Sequence, residues 1–208
     1  SRLINAEEKR IVAYHEAGHA LVGKLIPKAD PVYKVTIIPR GLALGVTSFL
    51  PTEEKHTYSK EYLETKLIYL MGGRAAEAVV FDDITSGASN DLERVTKLAR
   101  TMVTRLGMSE ALGPMTYGQK EELIFLGREI SEQRDYSEAV AEKIDQEVRI
   151  IVNNAYERAK DILTTYRDRL DAVANRLLEV ETINREEFEQ IFPPPTPKNT
   201  GTPIPQAA

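Results

Sequence analysis

The stretch "EEKRIVAYHEAGHALVGKLI", residues 7–26, decides how the rest of the chain is read. Asn5, followed three residues later by Glu8, is an Asn-type capping box that opens a helix here, and Pro27 sets its end. Ile11, Val12, Val22, Leu25 and Ile26 supply its apolar positions, so the expectation is an amphipathic helix. Within it His15 and His19, two of the chain's three histidines, stand four residues apart. On a helix this spacing sends both imidazoles from one face, one turn apart, where two nitrogens can reach a single ion.

Glu16 lies one position round, turned enough to miss such an ion but near enough to address a water beside it. The pattern is that of the HExxH zinc peptidases. Neutral imidazoles plus one carboxylate leave zinc with residual positive charge and an open position, which lowers the pKa of its water to about 7. Glu16 then serves as the base, taking a proton from the attacking water and passing it to the departing amine. The plainer alternative is a helix that happens to carry two histidines. Ala17 and Gly18 favour the first reading, because small residues let another element come close to the metal.

A third ligand is then needed. The metzincin extension requires glycine at Val22 and histidine at Leu25, and neither is present. A thermolysin-like arrangement requires a glutamate on a later helix, but none occurs between Glu16 and Glu53. His56, in polar "TEEKHTYSK", reads as a solvated loop histidine. Asp91 opens a helix after "SGASN", a turn flexible enough to swing its carboxylate toward the first helix. Asp91 also fits ordinary N-terminal helix charge favoured by the dipole, so spacing and charge leave its role open.

Composition narrows the rest. At 208 residues and 42% hydrophobic content the chain can build one good core. Its 27 basic and 32 acidic residues give a net charge of -5, with no basic block, which argues against nucleic acid as a partner. The absence of cysteine excludes disulfides, Cys-ligated zinc and a thiol nucleophile. No apolar run approaches the roughly 18–20 residues of a membrane span, so the chain as given reads as soluble. Its start at "SRLIN" suggests an excised domain.

Along the chain, "YKVTII" and "LGVTSFL" read as a β-hairpin joined by "PRGLA". Ser59 caps a helix through "KEYLETKLIYLMGGRAAEAVVF", whose interior Gly72 and Gly73 cost about 1 kcal/mol each and imply close packing against another helix. A third helix is expected from about Asp91 to Leu106, with Leu92, Val95, Ala99, Met102 and Leu106 on one face and Gly107 as its stop. A long apolar stripe follows from Tyr136 to Tyr166, then a helix near Leu170–Val180 and a short one after an Asn184/Glu187 capping box. The expected fold is therefore mainly α-helical, with a small β-hairpin or sheet near the active site and long C-terminal helices. Residues 1–192 form the folded domain. Residues 193–208, which hold six of the eleven prolines, read as a disordered Pro-rich tail.

"HEAGH" at 15–19, "GGRAAE" at 72–77, "TSGASNDL" at 85–92 and "GMSEALGP" at 107–114 stand in an order and spacing that carry a further inference. Residues 3–192 resemble the peptidase domain of the FtsH family, the membrane-anchored, ATP-dependent AAA+ zinc metalloproteases. The resemblance implies that His15, His19 and Asp91 hold one Zn2+ per chain, that Glu16 is the catalytic base and that Glu77 supports a histidine from behind. It also implies a homo-hexameric ring acting on unfolded or membrane-derived polypeptides. Full-length members add an ATPase module and a membrane anchor, with the protease domain on the cytoplasmic side. The chain contains no GxxxxGK[ST], so no nucleotide-binding site is expected within it. The competing reading, a helical assembly module with a dead HExxH, loses ground because all four proposed metal-site residues are in place.

Overall fold

A computed structural model describes residues 5–27, 29–39, 45–49, 57–120 and 132–191. His56 and the Pro-rich tail lie outside the described residues, as do most of the "PRGLA" connection and residues 121–131.

Helix α1 spans Ala6–Leu25, and Asn5 caps it by accepting the Glu8 N–H at 2.8 Å. Its second half departs from the amphipathic expectation: Ala13–Leu25 is buried without interruption. A helix buried all round is a central element, and α1 packs on α2 (Lys60–Phe81), α5 (Arg167–Val180) and the sheet. The consequence is chemical. His15, Glu16, His19 and Lys24 are all buried polar groups on it, and buried polar groups are costly without partners. Lys24 is answered by Glu189 of α6 (Arg185–Ile191).

Ser59 caps α2 by accepting the Tyr62 N–H at 3.1 Å. The two glycines in this helix behave as the sequence implied. A Cβ on Gly72 would come within 2.9 Å of the Gly18 carbonyl oxygen, and one on Gly18 would run into the Gly72 carbonyl in return. The α1 and α2 backbones therefore touch at a glycine pair, and α2 in turn carries α3 (Ser89–Thr104) and α4 (Glu138–Thr165) on its other sides.

After α2, a 3-10 turn at Ser86–Ala88 leads into α3, Ser89–Thr104, which starts two residues earlier than expected. Val95, Ala99 and Met102 face the core as expected, but Leu106 is 47% exposed, because the helix has already ended and Gly107 turns the chain at φ +60°. Helix α4, Glu138–Thr165, is capped by Ser137 and gives way to α5 at Tyr166.

The expected small sheet is present, with one strand beyond the pair read from the sequence. β1 (Val32–Thr36) and β2 (Val46–Phe49) pair antiparallel, and a third strand, β5 (Thr182–Asn184), pairs antiparallel on the other side of β1. Glu181, in a left-handed conformation at φ +65°, makes the corner between α5 and β5, and its carbonyl accepts the Ile37 N–H at 2.9 Å. A separate two-residue pairing joins β3 (Gln119–Lys120) to β4 (Glu132–Gln133).

Candidate metal centre

Three helices deliver the site. α1 presents His15 and His19 one turn apart, α3 presents Asp91 from its first turn, and α2 supplies the backing. His15 Nε2 lies 3.1 Å from His19 Nε2 and 3.1 Å from Asp91 Oδ2, while His19 Nε2 lies 3.2 Å from the same Asp91 oxygen. His15, His19 and Asp91 form the one group among the described residues whose ligand atoms are placed to share a metal ion.

The partners behind each ring decide what those atoms can do. His15 Nδ1 lies 2.9 Å from Glu77 Oε2, and His19 Nδ1 lies 2.8 Å from the Tyr69 carbonyl oxygen. Both partners only accept, so both Nδ1 atoms carry the proton and donate it. Each neutral ring then turns a bare Nε2 lone pair inward, to face the other lone pair and a carboxylate oxygen. Three electron-pair donors this close repel unless a cation sits among them. Zinc bonds of about 2.0–2.1 Å at tetrahedral angles place ligand atoms about 3.3 Å apart, close to the observed triangle, so the residues fit the ion.

The local electrostatics agree. Burial by itself would lower the pKa of His15, but hydrogen bonds to Asp91 and Glu77 and the charge of Glu16 carry it up to about 10. Desolvation likewise works against an ionised Asp91, yet the hydrogen bonds from His15 and His19 hold it well below the usual carboxylate range. Glu77 is lowered for the same kind of reason: the His15 and Thr85 contacts outweigh its desolvation. A pocket that favours a positive charge this strongly accepts a proton or a divalent cation at the same point.

Glu16, 7% exposed, sits beside these groups: its charge helps to raise His15, and adds to the desolvation that pushes up the half-buried Tyr69 phenol. Its Cγ lies directly under Gly45, where an added Cβ would stand 2.7 Å away. Gly45 immediately precedes β2, so the edge of the sheet begins over the proposed base.

The structure thus brings His15, Glu16, His19, Glu77 and Asp91 together. It corrects one expectation of how Asp91 arrives. The "SGASN" segment is no loose swinging turn: it is the 3-10 turn Ser86–Ala88 running into the start of α3, and the residue that caps it, Thr85, donates both N–H and hydroxyl to Glu77 Oε1. Sequence reasoning passed over three participants. Tyr69 contributes a backbone carbonyl, which leaves no mark on residue type. Gly73 yields space, since any Cβ there would overlap the His15 imidazole. Thr85 was legible only as part of a motif.

Two histidines and an aspartate facing a common point, with a glutamate adjacent on the histidine-bearing helix, define the class: a metallopeptidase-type centre built on HExxH. Comparison with known proteins narrows this. The sequence profile of peptidase family M41 matches residues 2–191. The chain belongs to peptidase family M41. Among its relatives, the ATP-dependent zinc metalloprotease FtsH of Thermotoga maritima is 56% identical over 193 residues, covering 92% of this chain and 32% of the relative. FtsH 1 of Sphaerobacter thermophilus is 50% identical over 210 residues, covering 100% of this chain and 32% of the relative. The FtsH of Rubrobacter xylanophilus is 53% identical over 191 residues, covering 92% and 29% respectively. The chain therefore spans about a third of the length of these relatives. No helix among the described residues is long and apolar enough to cross a membrane.

Proposed function

We propose that this chain cleaves peptide bonds with one zinc ion held by His15, His19 and Asp91, and with Glu16 as general base. The observation that carries the proposal is the inward-facing triangle of Nε2, Nε2 and Oδ2 atoms, 3.1–3.2 Å on a side, beside the buried Glu16. When bound, zinc supplies Lewis acidity: it makes water acidic enough to deprotonate near neutral pH and offsets the negative charge that develops on the scissile carbonyl. The protein's own part is positional. Glu77 and the Tyr69 carbonyl hold the two rings in one tautomer and one orientation. Glu16 receives a proton from the attacking water on its carboxylate and returns it to the leaving nitrogen. The buried surroundings exclude bulk water and strengthen each of these interactions.

The relatives are named as ATP-dependent and this chain covers about a third of their length, which supports a separate ATPase module; the ring, the membrane anchor and its orientation rest on the family resemblance alone. We infer that the domain works beside an ATPase module, in a membrane-anchored homo-hexamer whose protease domains face the cytoplasm. Its substrates in this reading are unfolded or membrane-derived polypeptides. An extended segment of substrate would reach the site by pairing with the edge of β2 that is unpaired among the described residues and whose start overlies Glu16.

The test is cleavage of an unfolded, fluorescently labelled polypeptide. Wild type should lose activity to a chelator and regain it with zinc, while Glu16→Gln keeps its zinc and loses at least about 100-fold in rate, the usual range for a general base. Chelator-resistant cleavage, or a fully active Glu16→Gln, would refute the proposal.

A further inference from the structure

The contacts behind the metal centre form a closed circuit through a residue that no ligand assignment includes. Glu77, 1% exposed, receives donors on both carboxylate oxygens: His15 Nδ1–H on Oε2 at 2.9 Å, and the Thr85 N–H at 3.1 Å together with the Thr85 hydroxyl on Oε1. The same hydroxyl oxygen accepts the Gly87 N–H at 3.1 Å, which fixes the 3-10 turn. From that turn the chain runs directly into the first turn of α3, where Asp91 Oδ2 meets His15 Nε2 at 3.1 Å. The path from His15 to Glu77, to Thr85, along the backbone to Asp91 and back to His15 therefore closes on itself.

We propose that Thr85 is a positioning residue for the metal centre, whose hydroxyl joins the carboxylate that orients His15 to the turn that presents Asp91. The physical argument concerns degrees of freedom. A carboxylate anchored at one oxygen pivots about that contact, and the imidazole it holds turns with it. Anchored at both oxygens it is held, and two donors converging on Oε1, the Thr85 N–H and hydroxyl, restrict it further than the N–H alone. The hydroxyl is suited to the task because it donates to Glu77 and accepts from Gly87 at once. The ligands on α1 and α3 are thereby set relative to each other by one side chain, rather than by two helices docking independently on α2. A backbone N–H alone would leave Glu77 with a single donor on Oε1 and Gly87 with none of its cap. Thr85 is half-buried within an exposed turn, so losing its hydroxyl leaves the hydrophobic core untouched.

This inference rests on the metal-binding reading above, and its test separates the two. Zinc affinity is measured by competition with a chromophoric chelator for wild type, Thr85→Val, Thr85→Ala and Thr85→Ser, alongside the thermal midpoint of each zinc-free chain. Valine keeps the shape and removes both hydrogen bonds, whereas serine keeps the hydroxyl. Groups that orient metal ligands from behind typically contribute 10–100-fold in affinity, and Thr85 stands one contact further out, so valine and alanine should weaken zinc by about tenfold while serine stays within about twofold of wild type. The zinc-free midpoints of valine and alanine should fall by the few degrees that a lost turn cap costs, with serine close to wild type. Equal affinities in all four chains would overturn the Thr85 inference alone. Weakening that serine shares in full with valine and alanine would show that the hydroxyl is not what positions the ligands, and would overturn it too. A wild-type chain that binds no zinc would overturn the metal reading and this inference with it.

Discussion

At the scale of single residues, the site is governed by where atoms are absent as much as by where they are present. Gly73 faces the His15 ring so closely that a methyl group there cannot coexist with the observed imidazole position. Gly73→Ala should therefore expel the ring from the donor triangle. The expected outcome is a loss of zinc affinity larger than that of any outer-shell substitution, beyond about 100-fold, with α2 itself retained because alanine is the better helix former. Competition titration with a chelator, read beside the helical circular dichroism signal, checks both halves. How much of this was legible follows from what each residue type can encode. His15, Glu16 and His19 were readable because helical periodicity turns a four-residue spacing into a shared face. Asp91 was not decided by spacing, since an aspartate in a first helical turn has an ordinary electrostatic reason to be there. It entered through the resemblance of four motifs in register, and the structure places it 3.1 Å from His15 and 3.2 Å from His19. The Tyr69 carbonyl could not have been found at all, because every residue has one.

At the scale of elements, capping residues and glycine pairs were the reliable marks. Asn5, Ser59 and Asn184 each accept the N–H three residues on, and these local bonds set helix starts irrespective of tertiary context. Gly18 and Gly72 were expected to permit close approach, and their backbones do touch. The amphipathic reading of α1 failed because its periodic apolar positions were too few to show that α5 and the sheet cover the remaining faces. β5 has only three residues and β3 and β4 two each, too short for any alternation to register. β1 occupies the centre of its sheet, which leaves β2 with one unpaired edge among the described residues. If substrate pairs there, alternate residues of β2 turn their N–H toward it. Proline at such a position in Val46–Phe49 should raise KM for unfolded peptides several-fold while leaving zinc content intact, given that each lost backbone hydrogen bond is worth about 0.5–1.5 kcal/mol. Unchanged KM at every position along the strand would dismiss edge pairing.

At the scale of the whole molecule, the metal centre is the point where helices distant in sequence are made to agree. α1 and α3 contribute the donors, α2 lies against both, and α1 is held from its other side by α5 through the Tyr14 hydroxyl donating to Asp171 at 2.7 Å. A ligand that binds only this folded arrangement stabilises it by mass action, so the fold and the ion support each other. The central claim is that His15, His19 and Asp91 together form that ligand set. Zinc content after equilibrium dialysis, compared among wild type, Glu16→Gln, His15→Ala, His19→Ala and Asp91→Ala, tests it most directly. The account predicts one zinc per chain in wild type and Glu16→Gln and a severe loss in each of the other three. Full zinc occupancy in Asp91→Ala, or none in wild type, would contradict it.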